Sequence, residues 1–210
     1  MKHLLTFLRH GVSGTLASTV GSPSVDRRGT MLKHYAFMLL FLLGSLNVWG
    51  ASATLTLNNL GTNVGTTSNT SVETTDIAAT GGSTATYTLN YLQGKKQGSA
   101  ILLAKGSNGG TSFISNKTAM PGDIQSVKVY INSGASGSAT YHCAFNTTEC
   151  TTRYVTGSTA QNITGGNSHT YTCSVSGARY FCIALGNNNN GQVLKIDVTY
   201  ATGGTPEPTV

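Results

Sequence analysis

Beyond residue 50, few side chains could do chemistry: Cys143, Cys150, Cys173 and Cys182; the carboxylates of Glu73, Asp76, Asp123, Glu149, Asp197 and Glu207; and the imidazoles of His142 and His169. Six, twenty-two and eight residues separate successive cysteines. These gaps do not make the paired C-x2-4-C knuckles of a zinc site, so neither a metal site nor a cofactor is read from them. They fit hairpin staples instead. If Gly177-Ala178 forms a two-residue turn, Cys173 falls across from Cys182, and the same counting around Asn146-Thr147 sets Cys143 across from Cys150. Four cysteines allow three pairings, and a longer link such as Cys143 to Cys182 would tie different strands. A short staple of this kind contributes on the order of 2 to 3 kcal/mol.

The acids form no constellation that spacing can identify. A glycosidase needs two carboxylates at a set separation, but Glu207 lies in the tail, Asp197 on the wet face of a predicted strand, and Glu149 beside Cys150 in a turn. His142 stands between Tyr141 and Cys143 on one predicted strand and His169 begins another, so the two could meet across a sheet. No Gly-x-Ser-x-Gly elbow, phosphate loop or His-Glu-x-x-His helix is present. No catalytic residue is therefore expected. Binding depends on aromatics and hydrogen-bonding groups, and the single tryptophan, Trp49, precedes the domain. Of the tyrosines, Tyr130 shares a predicted strand face with Lys128 and Ser126, and Tyr154 follows Arg153. Tyr130, Tyr154, Arg153 and Lys128 are thus the candidate ligand-binding set, with tyrosine rings as stacking surfaces for sugar rings. The other tyrosines are expected to rim a core.

Those groups must be positioned by strands. Thr, Ser, Gly, Asn, Val, Tyr and Ile dominate, and strong helix formers are scarce. Between glycine pairs run short segments: 53–59, 84–92, 99–104, 111–115, 124–132, 139–145, 150–155, 168–175, 179–185 and 192–200. Alternation is cleanest in 124–132, where Val127, Val129 and Ile131 oppose Ser126, Lys128 and Tyr130. In 192–200, Leu194, Ile196, Val198 and Tyr200 oppose Val193, Lys195, Asp197 and Thr199. About ten short strands predict an all-β, antiparallel β-sandwich of jelly-roll type. Residues 60–83 read as a long loop or two poor strands. The doublet Lys95-Lys96 reads as part of a turn, and Gly186-Asn-Asn-Asn-Asn-Gly191 as a hairpin loop suited to positive φ.

Four segments divide the chain. Residues 31–50 read as a signal peptide: Lys33 and His34, an apolar run from Ala36, then small residues around Gly50 to Ala53. Its apolar stretch is shorter than the ~20 residues of a spanning helix, so cleavage rather than a stable membrane anchor is expected. Residues 1–30 precede it without amphipathic or strand periodicity and read as an untranslated or disordered extension, with translation starting at Met31. Residues 51–200 are the sandwich, and 201–210, with Pro206 and Pro208, a tether to a covalently linked C-terminal domain. Secretion or display at the cell surface follows. The net charge of +6 is concentrated in the leader. From residue 51 onward, eight Lys and Arg face six Asp and Glu, a net +2, without the clustered basic face that nucleic acid requires.

The runs Asn116-Lys-Thr-Ala-Met-Pro-Gly-Asp-Ile-Gln-Ser-Val-Lys-Val-Tyr-Ile-Asn-Ser-Gly134, Tyr171-Thr-Cys-Ser-Val175 and Tyr180 through Tyr200 resemble an uncharacterised β-sandwich module of secreted, multidomain Bacteroidetes-type bacterial proteins. The likeness covers roughly residues 51–200. It implies export, a jelly-roll-like fold and a noncatalytic accessory role, with a polysaccharide or glycan as the partner. It brings no site residues. A structural or adhesive spacer is the alternative, and a small hydrolase assembled across strands a third. Four sequons, at Asn69, Asn116, Asn146 and Asn162, would matter only in a eukaryotic secretory route.

Overall fold

The computed structural model describes residues 51–82, 85–105, 111–186 and 189–202. The expectations for the extension, the leader and the tail from residue 203 lie outside them. Twelve strands and no helix are found among the described residues: β1 (Ser52–Leu57), β2 (Glu73–Thr80), β3 (Thr86–Leu92), β4 (Gly94–Gln97), β5 (Ala100–Leu103), β6 (Phe113–Asn116), β7 (Ile124–Ile131), β8 (Ser138–Asn146), β9 (Thr159–Thr164), β10 (Ser168–Thr172), β11 (Tyr180–Leu185) and β12 (Gly191–Ala201). Every pairing is antiparallel.

The strands make two layers. Sheet one runs β10-β7-β12-β1, with the β4-β5 ribbon paired to the start of β12; sheet two runs β2-β3-β6-β11-β8-β9. A short β1-β2 contact through Thr56 and Leu57 joins them at one corner. With β2, β4, β5 and β6 set aside, the remaining eight strands follow the order of a jelly roll. The predicted fold class is the observed one.

Alternation decides what each strand buries. In β7, Val127, Val129 and Ile131 enter the core while Ser126, Lys128 and Tyr130 face out. In β12 the predicted faces hold from Lys195 onward but fail at the start, where a bulge between Val193 and Lys195 turns Val193 inward and leaves Leu194 half-buried. The interior between the sheets is filled by Leu55, Leu57, Ile196 and Val198 from one side and Leu89, Ile114, Tyr141 and Ile183 from the other. Each such burial stabilises by about 1.5–3 kcal/mol.

Two tyrosines also tie the sheets by polar contacts within that core. The Tyr171 hydroxyl on β10 donates to the Tyr141 carbonyl on β8 at 3.1 Å, and the Gln192 amide on β12 donates to the Tyr141 hydroxyl at 3.1 Å. Burial pushes the Tyr141 hydroxyl up to about 12. Gly191 makes that approach possible, since a Cβ there would stand 2.6 Å from the Tyr141 oxygen. Its role is space rather than the positive φ expected of the Asn-rich turn, and the turn leads from β11 in one sheet to β12 in the other instead of closing a hairpin. Gly122 is under a similar constraint: a Cβ would fall 1.8 Å from the Ala201 carbonyl oxygen.

Several segments differ from expectation for identifiable reasons. Of residues 60–83, which read as a long loop or two poor strands, 73–80 form one strand, β2, in which Ile77 alone is a large buried aliphatic. Lys95 and Lys96 lie in β4, and the turn comes at Gly98, where φ is +61°. Residues 150–155 form no strand. They belong to a 12-residue strap, 147–158, between β8 and β9.

Candidate functional site

The cysteine hairpins do not form. All four cysteines are thiols in this structure, which corresponds to the reduced form of the protein. β10 pairs with β7 and β11 pairs with β6 and β8, so Cys173, just past the end of β10, and Cys182, on β11, belong to different sheets rather than to the two arms of one hairpin. Past Asn146 the chain leaves β8 as the strap, and β8 takes β9 as its partner, so Cys143 is not opposed by Cys150. Cys143 lies opposite Ile183 and Cys182 opposite Ala144. Alternation therefore points Cys143 into the core between the sheets and Cys182 to the outer face of sheet two. That geometry also disfavours the longer Cys143 to Cys182 link.

The candidate binding residues fall on two faces that share nothing. Lys128 and Tyr130 project from β7 on the outer face of sheet one. There Tyr130 is opposite Lys195, and Lys128 opposite Asp197. The Lys195 Nζ stands 3.9 Å from the Tyr130 ring centroid and the Lys128 Nζ 4.9 Å from it. Such contacts contribute roughly 0.5–1 kcal/mol at exposed positions. The Tyr130 hydroxyl donates to Asp197 Oδ2 at 2.7 Å, the Thr56 hydroxyl donates to Asp197 Oδ1 at 2.7 Å, and Lys195 Nζ lies 3.3 Å from Oδ2. Lys195 and Asp197 were not among the residues singled out for binding, yet they complete this array. Their place on the wet face of β12 was the available signal.

Asp197 is held below its ordinary carboxylate value. Partial burial pushes it up, but the hydrogen bonds from Tyr130 and Thr56 and the charge of Lys195 together outweigh that. A depressed carboxyl suits an ion-pair anchor and not a general acid. The other described acids are similarly engaged: Glu73 accepts from the Tyr91 hydroxyl at 2.6 Å, Asp76 from Thr88 at 2.7 Å, Glu149 from Asn90 at 2.9 Å, and Asp123 lies 3.8 Å from Arg179. Among the described residues no group of three or more His, Cys, Asp and Glu side chains could hold a metal ion.

Arg153 and Tyr154 belong to the strap, which crosses the outer face of sheet two. Tyr154 packs with Leu92 and Val155 onto a small apolar cluster of Phe113, Cys150, Cys182 and Ala184. Polar contacts pin the strap along its length. Asn90 donates to Glu149, Ser115 to the Cys150 carbonyl at 2.6 Å, Arg153 to the Leu185 carbonyl at 3.3 Å, and Ser158 pairs with His142 at 3.2 Å. Tyr154 is thus a cover over apolar strands and not an open stacking surface. His142 does not meet His169. It faces the strap, its pKa lowered first by burial and then by the Arg153 charge, while His169 sits edge-on to Tyr171 at 4.8 Å.

Two sequon asparagines prove structural. Asn116 is fully buried; its amide donates to the carbonyls of Thr118 and Arg179 at 2.8 and 2.9 Å, and its oxygen accepts from the Phe181 amide at 2.7 Å. Asn69 likewise donates to the carbonyls of Ser71 and Tyr91 and accepts from the Gly94 amide. The predicted spacing of these residues carried no sign of that role.

No protein-family model matches this chain, and no curated protein matches it.

Proposed function

We propose that this domain is a noncatalytic accessory module of an exported bacterial protein, and that it binds a glycan on the outer face of sheet one. The observation that supports this reading is the array of Lys128, Tyr130, Lys195, Asp197 and Thr56. Its hydrogen bonds and cation–π contacts are formed before any ligand arrives, on the half-exposed outer face of sheet one. Preorganised polar groups of this kind lower the ordering cost of binding. Because both ammonium groups lie against the tyrosine ring, the array is a hydrogen-bonding and cationic surface rather than a bare stacking platform. It suits a polysaccharide with carboxylate or sulfate groups better than a neutral one. Lys128 pairs with no carboxylate among the described residues, leaving it a donor for such a ligand.

The alternative, a spacer placed in series between other domains, fits the strand order less well. Ser52 at the start of β1 pairs with Ala201 at the end of β12, and the Thr202 amide donates to the Ala51 carbonyl at 2.6 Å. The chain therefore enters and leaves the sandwich at one edge, as a pendant module does, whereas a strut separates its ends.

The test is retention of the protein on immobilised acidic and neutral polysaccharides, with Lys128→Ala, Lys195→Ala and Tyr154→Ala variants alongside. Retention on an acidic glycan, weakened by either lysine change and by added salt but not by Tyr154→Ala, is the expected result. No retention on any glycan would overturn the reading and leave the spacer.

A further inference from the structure

We infer that Cys150 and Cys182 are partners in a disulfide that fastens the strap to β11. Both side chains belong to the one apolar cluster on the outer face of sheet two, with Phe113 and Ala184. Their backbones are brought together by a short chain of contacts. Ser115 lies directly across from Cys182 in the β6-β11 ladder, and its hydroxyl donates to the Cys150 carbonyl at 2.6 Å. Directly opposed residues hold their Cβ atoms about 4.5–5.5 Å apart, so Cys150 is tied to the position beside Cys182. The strap then returns over the same sulfur, with the Tyr154 amide donating to Cys182 Sγ at 3.4 Å. Residues 151–155 have no ladder partners, so the strap can make the small adjustment that a Cβ separation near 3.8 Å requires.

The remaining pairings of Cys182 are disfavoured by the faces described above: Cys143 points into the core on the other side of the sheet, and Cys173 follows β10 in the opposing sheet. The oxidant belongs to the class of disulfide-bearing thiol oxidants, protein or small molecule. The Cys150 thiolate attacks one oxidant sulfur, giving a mixed disulfide and releasing one thiol. The Cys182 thiolate then attacks the Cys150 sulfur, the new S–S bond forms, and the second oxidant thiol leaves. Two electrons pass to the oxidant, and the two cysteine protons go to its released thiolates. Cys182 is fully buried and Cys150 is 5% exposed, so the exchange takes place during folding, before the strap seals over the cluster. Burial raises both thiols above their ordinary value in the folded protein.

The test uses the full chain, refolded with glutathione disulfide, then unfolded in guanidinium chloride so that every free thiol is blocked with iodoacetamide, and digested without reduction for mass spectrometry. The expected result is a peptide containing Cys150 joined to one containing Cys182. In Cys150→Ser the Cys182 peptide should become alkylated, and in Cys182→Ser the Cys150 peptide. Tryptic cleavage after Arg153, within the strap, should be severalfold faster once the oxidised protein is reduced. Alkylation of both cysteines in the wild-type protein, or a link from either to Cys143 or Cys173, would overturn the pairing. Equal cleavage with and without reductant would overturn the fastening.

Discussion

The two outer faces of this sandwich are both made from antiparallel strands, yet one is bare and the other covered. On sheet one, β7 and β12 present Lys128, Tyr130, Lys195 and Asp197, whose charges and hydroxyls satisfy one another across the strands. On sheet two, β6 and β11 present Phe113, Cys182 and Ala184, which no wet face tolerates, and the chain lays the strap over them. The covered face therefore contributes to stability through apolar burial. The bare face holds few apolar groups, and its order comes from the contacts that Tyr130, Lys195 and Asp197 make with one another. A substitution should weaken folding on one face and alter surface properties on the other.

The largest effect should come from Phe113→Ala. Removing a fully buried phenyl from beneath the strap should cost about 3–5 kcal/mol, whereas Lys195→Ala on the opposite face should stay within about 1 kcal/mol. Urea denaturation of the two variants measures the contrast, and comparable losses would erase the distinction. Next comes Asn116→Ala, which strands the Phe181 amide and the carbonyls of Thr118 and Arg179 at the edge where β6 meets β11. About 2–4 kcal/mol is expected from those lost hydrogen bonds. A loss below 1 kcal/mol by the same assay would show that water replaces the amide there. The Cys150–Cys182 disulfide should add on the order of 3 kcal/mol to the covered face in the oxidised protein, read as the stability difference between oxidised and reduced samples.

The same contrast explains what the sequence made legible. β7 and β12 alternate apolar and polar residues, and their wet faces, including Tyr130 and Asp197, could be read directly. β11 does not alternate: Tyr-Phe-Cys-Ile-Ala-Leu is apolar on both sides. That continuous run was the available sign that something must cover its outer face. The strap itself was misread as a strand because Cys150 to Val155 resembles one in composition, and only the apolar surface beneath it selects the irregular path. The Cys143–Cys150 register failed with it, since Cys150 lies on the strap and Cys143 faces Thr159 of β9, and the Cys173–Cys182 register failed for a related reason. Counting across a turn presumes that consecutive strands pair, and in this topology β10 and β11 belong to opposite sheets. Lys195 and Asp197 could be placed on a wet face by alternation, but their convergence on Tyr130 depends on β12 pairing with β7, five strands distant in sequence.

The smaller effects sharpen the reading of the bare face, beginning with its pH dependence. The Asp197 carboxyl is depressed in the folded state, so its contribution to stability is present above the ordinary value of 3.8 and is lost as pH falls through the lower folded value. Asp197→Asn should therefore flatten the stability profile in that acid window and change little in Phe113→Ala-like regions of the molecule. A denaturation series from neutral pH downward measures the slope, and an unchanged slope would mean that Asp197 is not anchored as described.

Tyr130→Phe removes only the hydroxyl that donates to Asp197 and keeps the ring beneath both lysines. A hydrogen bond to a charged group on a half-buried face should couple the two residues by about 1 kcal/mol. That coupling is measurable as the interaction energy of a double-mutant cycle with Asp197→Asn at neutral pH. Repeated below the Asp197 titration, the cycle should give a coupling near zero, because a protonated carboxyl accepts far more weakly from the phenol. The lysines remain over the ring in both variants and cancel from the cycle, so a coupling that persists at low pH would mean that the phenol donates to the protonated carboxyl as well as to the carboxylate.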